Sequence, residues 1–181
     1  MYWDKAGQEN TEKTINLAVK RAKELGIEDF VVASNTGQTV LKLLEHSVNN
    51  IVCVTHQVGF RNPGEDEMGF EMRERLQKAG VKILTTTHLF AGVDRALRYQ
   101  FGGLYPAEII AMSLRMLGQG VKVGVEIAVM ALDAGLIPYG KDVIAIGGTG
   151  QGADTAILIK PEHSAKIFKT QIKEIICKPK A

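Results

Sequence analysis

The residues best suited to chemistry in this chain are Ser34, Asn35, Thr36, Gly37, Gln38 and Thr39, a run of hydroxyls and amides around one glycine. They follow the apolar stretch Val31-Val32-Ala33 and precede the helically spaced Val40, Leu43 and Leu44. In such a strand, turn and helix unit the first helical N–H groups are unpaired and the helix dipole adds partial positive charge, so an oxyanion can be held by backbone alone. A second loop, Gly147-Gly148-Thr149-Gly150-Gln151-Gly152, follows another apolar strand and leads to Asp154 and Thr155. Together they predict a crevice for a phosphorylated small molecule. His56, Arg61 and His88 follow the ends of the second and third strands, so they are expected at the same rim: the histidines as acid and base near neutral pH, Arg61 as a phosphate partner. Each residue also has an ordinary loop-stabilising role open to it.

Several other chemistries are disfavoured. Gly148-x-Gly150-x-Gly152 occurs late, lacks the full dinucleotide-binding spacing and leads into a strand, and no lysine completes a nucleoside-triphosphate loop. No histidine pair has metal-ligand spacing, so no metal is expected. Cys53 and Cys177 lie far apart in apolar surroundings and are expected to be reduced core thiols. Glu126 has the placement of a general base, but it aligns with Lys122 and Asp133 as a solvated stripe on an otherwise apolar helix, which is the reading adopted. Asp154 either holds the second loop through backbone hydrogen bonds or contacts ligand hydroxyls.

The elements that must position these groups alternate. A helix is predicted over 10–25, capped by Asn10 or Thr11 and ended by Gly26; strands over 30–34, 50–55 and 81–86; and helices after Asn35 and around Met72, Leu76 and Ala79. Asn35 and Gln38 have the spacing of a capping pair. Residues 56–67 read as a loop with the composition of a lid, and 88–105 as a long, partly helical excursion. Pro106 suits the first turn of the next helix. The helix at about 121–134 is apolar nearly all round, so the domain or a second subunit must cover it. Strands follow at 143–146 and 155–159, joined by too short a link for a crossover, so the second must run antiparallel to the first; the isoleucines near the end supply one more short edge element. The expected fold is three-layer α/β/α with a mostly parallel sheet and a late antiparallel strand, its two polar loops sharing the carboxyl edge.

A length of 181 residues suits a single domain over 1–181. With 22 basic and 20 acidic residues and no basic block, no nucleic-acid footprint is present. No apolar run approaches the roughly 20 residues that span a bilayer, and the start lacks a signal-peptide layout, so a cytoplasmic protein without membrane association is expected. The apolar helix near 121–134 predicts a homo-oligomer, most simply a dimer.

The motifs Ala33-Ser34-Asn35-Thr36-Gly37-Gln38-Thr39, Val125-Glu126-Ile127-Ala128 with Ala134-Gly135-Leu136-Ile137-Pro138, and Ile144-Ala145-Ile146-Gly147-Gly148 with Gly152-Ala153-Asp154-Thr155-Ala156 give the chain a resemblance over nearly its whole length. It resembles the stand-alone, largely archaeal and bacterial proteins related to the C-terminal alpha/beta domain of pyruvate kinase. The resemblance implies the three-layer fold and matches Ser34 to Thr39 to the turn of a regulatory sugar-phosphate site. The phosphoryl-transfer barrel belongs to a different domain with no room in 181 residues, so pyruvate kinase activity is not expected. For the stand-alone relatives flavin mononucleotide (FMN) is the candidate, its phosphate at the first loop and its ring in the crevice. The competing expectations are a flavin-dependent or other small-molecule enzyme using the crevice, and an interaction domain with no ligand.

Overall fold

The computed structural model describes residues 1–180. Its strands are β1 (Tyr2–Trp3), β2 (Phe30–Ala33), β3 (Ile51–Val54), β4 (Lys82–Leu84), β5 (Val143–Gly147), β6 (Thr155–Lys160) and β7 (Gln171–Pro179); its helices are α1 (Thr11–Leu25), α2 (Gln38–Leu44), α3 (Phe70–Lys78), α4 (Gly92–Phe101), α5 (Pro106–Arg115) and α6 (Gln119–Asp133). The sheet order is β1-β7-β6-β5-β2-β3-β4. Only β6 is reversed: it pairs antiparallel with β5 and β7, and every other pairing is parallel.

Alternation along the strands builds two cores. Val32, Cys53, Ile144 and Ile146 face a layer containing Ile15, Ala18, Val40 and Leu76, whereas Val31, Val52, Ala145 and Ile157 face Val121, Val125 and Ala128. Helices α1, α2 and α3 thus cover one face, and α5 and α6 cover the other. Helix α1 buries Thr14, Ile15, Ala18, Val19 and Ala22 and ends at Gly26, whose φ of 65° terminates the helix in the left-handed region. Helix α6 lies unusually close to the sheet, since a Cβ on Gly124 would stand 2.8 Å from Ile157 Cδ1 and one on Gly120 would overlap the Thr155 side chain.

Four expectations are corrected by packing. The apolar circumference of α6 is covered by its own chain: every residue from Gly124 to Leu132 is buried against the sheet, α5 and adjoining segments, so this helix supplies no reason for a second subunit. Lys122 and Glu126 are 7% and 3% exposed and bonded to each other, so only Asp133 of the expected polar stripe is wet. The final element is a nine-residue strand between β6 and β1, not a short edge piece. Asn35 does not cap α2; Gly37 occupies that position and no side chain caps the helix. Among the described residues no helix is long and apolar enough to cross a membrane.

Candidate functional site

After β2 the chain crosses to β3, whereas the connection from β4 returns to β5 on the other side of β2. The gap between β2 and β5 is therefore the point where strand order reverses, the position at which open α/β sheets generally bind ligands. With Val32 in register with Ile146, Ser34 and Gly148 leave from adjacent strand ends.

The first loop is held from two sides. His56 N donates to Asn35 Oδ1 at 2.9 Å, and Asn35 Nδ2 lies 3.1 Å from His56 Nε2. Gly37 has φ 84°, a conformation that favours glycine, and a Cβ there would stand 2.6 Å from Met72 Cγ. Ser34 and Thr39 are buried, whereas Thr36 and Gln38 are exposed at the mouth. Helix α2 has no side-chain cap and no acid in its first turn, so no side chain of its own satisfies its leading N–H groups.

The row continues across β3 and β4. His56 Nδ1 is 2.6 Å from Glu67 Oε1, and Arg61, exposed, binds the other carboxylate oxygen at 3.0 Å. Arg61 thus ties down the 56–67 loop through Glu67. The Phe60 ring stacks on His56 at 3.7 Å, and His88 lies 5.3 Å from His56. Arg95 sits 5.7 Å from the Phe60 centroid, and Lys122 5.4 Å from that of Phe90. Below this surface Thr55 and Thr85 share a 2.7 Å hydrogen bond, and Arg73 reaches both Asp66 and Thr85.

Behind His88 lies a buried ion pair that sequence reasoning placed in solvent. Glu126 accepts from Phe90 N at 2.9 Å through Oε1 and binds Lys122 Nζ through Oε2. Burial lowers the pKa of Lys122, and the Glu126 carboxylate opposes that shift. Burial likewise lowers His88 below the ordinary histidine value, again opposed by Glu126. The readable signal was a lysine and a glutamate four residues apart on a helix otherwise apolar.

The second loop is largely a structural device. Asp154 is fully buried; its Oδ2 accepts from Gly7 N at 3.0 Å and Thr149 N at 3.2 Å, its Oδ1 from Thr155 Oγ1 at 2.8 Å, and its carbonyl from Trp3 Nε1 at 2.7 Å. Of the two sequence readings of Asp154, these bonds realise the structural one. Gly147 approaches the Gly120 carbonyl, Gly148 packs on the Gly152 carbonyl, and Gly152 lies against Thr11 and Gln8. Gly150 and Gln151 form the exposed tip. Cys53 and Cys177 are free and buried, and burial pushes the Cys53 thiol up to about 12. Two concavities lie elsewhere: about 410 Å³ at the amino edge beside Glu28, Asn50 and Val81, and about 520 Å³ between α5 and Phe168.

These features define a doubly wound α/β domain with polar residues gathered at the carboxyl edge of its sheet. Residues 12–159 match the family described as "Pyruvate kinase, alpha/beta domain". The chain belongs to that family. Solved structures similar to it include a pyruvate kinase from Cryptosporidium parvum (16% identity, TM-score 0.42), that organism's pyruvate kinase in complex with ADP (16%, 0.42), and a further crystal structure of it (16%, 0.40). Each match covers 82% of this chain and 22% of the pyruvate kinase chain, so the chain spans under a quarter of the length of those enzymes.

Proposed function

We propose that this chain is a cytoplasmic binding or regulatory protein for a phosphorylated small molecule, with FMN the leading candidate and without phosphoryl transfer from phosphoenolpyruvate. The observation that carries the reading is the reciprocal Asn35–His56 pairing. It joins the loop after β2 to the end of β3, so the uncapped start of α2 is held rigid beside the aromatic surface of His56, Phe60 and His88. A phosphate docks on the N–H groups of Thr36 to Thr39, helped by the hydroxyl of Thr36, and a flat ring lies across the aromatic row. Asp154 and Thr155 support this site from beneath without touching the ligand. The test is a mass spectrum of whatever small molecule copurifies with the protein: a phosphorylated compound supports the reading, and a purely apolar or unphosphorylated one contradicts it.

A second reading, a small-molecule enzyme in the same crevice, is favoured by the Lys122–Glu126 pair beside His88. An ion pair removed from water is costly, and replacing it by apolar side chains is often stabilising, so its place next to a histidine of lowered pKa points to proton handling. Of the two histidines, His88 is the proton acceptor in this reading, because both ring nitrogens of His56 are engaged by Glu67 and Asn35. Turnover with a reductant and an electron acceptor distinguishes this reading from binding alone.

A further inference from the structure

Among the described residues Arg95 is the half-buried arginine whose guanidinium makes no hydrogen bond or ion pair. The other two half-buried arginines are committed, Arg21 to Glu24 and Glu174, and Arg73 to Asp66 and Thr85. Instead Arg95 stands with its guanidinium carbon 5.7 Å from the centre of the Phe60 ring. That ring stacks on His56, which Asn35 and Glu67 hold, so the surface under the guanidinium is itself fixed. A cation over a ring face spends none of its N–H groups there. They stay available to take two oxygens of one phosphate or carboxylate at once.

The chain does not neutralise this charge. Of the acids on the segments that meet here, Glu67 is shared by His56 and Arg61, and Glu126 by Phe90 N and Lys122. Asp94 accepts from Ala107 N, and Glu108 binds Arg98. Each is occupied. Burial is the main reason that Lys122 has a lowered pKa, and the positive charges of Arg115 and Arg95 push it in the same direction. An oxyanion beside Arg95 offsets that repulsion and supplies the missing acceptor.

We infer that Arg95 anchors an oxyanion subsite, taking a phosphate or carboxylate group bidentately beside the Phe60 ring. Helix α4 holds it there without core packing: none of its residues is buried, and polar bonds from Asp94 and Arg98, on either side of Arg95, tie the helix to α5. The subsite is separate from the start of α2, and the inference does not depend on a ligand docking at that helix.

The test is an NMR titration of the full chain with sodium phosphate, with sodium acetate as the carboxylate arm and sodium chloride at matched ionic strength as the blank. The Arg95 Nε–H signal and the Phe60 ring protons shift saturably in the millimolar range with phosphate, acetate or both, and not with chloride. Arg95→Gln raises the half-saturation concentration read at Phe60 about tenfold or more, since charge-assisted bonds are lost. Arg95→Lys keeps the charge without the fork and raises it less. Arg75→Gln, the same charge change at an exposed arginine on α3, leaves it unaltered. The amides of Thr36 to Thr39 report the α2 start separately, so failure there and failure at Arg95 are distinguishable. Shifts that chloride reproduces, a Phe60 response that survives Arg95→Gln, or an equal loss in Arg75→Gln overturns the inference.

Discussion

Asn35 and His56 exchange two hydrogen bonds that fix each other's orientation. The backbone N–H of His56 can only donate, so it holds Asn35 Oδ1 and turns Nδ2 toward the ring. With Nδ2 donating to Nε2, the ring proton stands on Nδ1 against Glu67 Oε1 at 2.6 Å. The loop after β2 and both ends of the 56–67 loop are thereby linked through one imidazole. Asn35→Ala removes both bonds and leaves a half-buried N–H and ring nitrogen without partners, so it should destabilise the protein by about 1–3 kcal/mol. It should also weaken FMN binding. Urea denaturation and calorimetry check this; unchanged stability and affinity together would remove the pairing from the account.

Gly37 is required by conformation and by space. Its φ of 84° favours glycine, and the direction of a Cβ leads to Met72 Cγ and Leu76 Cδ1 and not into the crevice. Gly37→Val should cost at least about 1–3 kcal/mol from backbone strain. Adding Met72→Ala relieves the contact but not the backbone, so the double variant should be destabilised by less than the sum of the two single variants. Strict additivity in denaturant unfolding would show that the contact with Met72 is unimportant.

The Lys122–Glu126 pair predicts an asymmetric result. Lys122→Met strands a buried carboxylate and should cost about 3–5 kcal/mol. Lys122→Met with Glu126→Gln removes both charges and retains an acceptor for Phe90 N, so it should be milder than Lys122→Met alone. A double variant less stable than that single variant, by thermal or urea unfolding, would contradict the pairing.

His88 should make stability fall in acid. Its folded pKa lies below the ordinary value of 6.5 because burial disfavours the charged ring, with Glu126 opposing. As pH drops through 6.5 the unfolded chain takes up its proton first, so stability declines until the folded pKa is passed. Above 6.5 the neutral ring makes no such demand. His88→Asn should flatten this part of the profile, measured as urea midpoints between about pH 5 and pH 8. An unaltered acid slope would show that other groups set it.

Much of the scaffold was legible because strand burial and helix periodicity leave direct marks in sequence. The parallel strands Phe30–Ala33, Ile51–Val54 and Val143–Gly147 are nearly continuous apolar runs, and the short link to Thr155 fixed the reversal of β6. Two-residue β1 left no pattern, since its place depends on pairing with a strand at the far end of the chain, Tyr2 opposite Lys178. The site was harder for the same reason. Position placed His56 and His88 after the ends of β3 and β4, but their partners are set by side-chain reach across loops: Asn35 looks like a cap until His56 is beside it, and Asp154 shows its bonds only once Gly7 and Trp3 fold over it. Lys122 and Glu126 were misplaced because helical periodicity tells which residues share a face, not what covers that face.

The most direct test of the central claim is calorimetry of the purified, ligand-stripped protein with FMN and with riboflavin, which differ by the phosphate alone. Charge-assisted hydrogen bonds contribute about 1.5–3 kcal/mol each, so FMN should bind at least about tenfold more tightly than riboflavin. Equal affinity for the two, or no binding of FMN, would contradict a phosphate site at the loop from Ser34 to Thr39 holding this ligand.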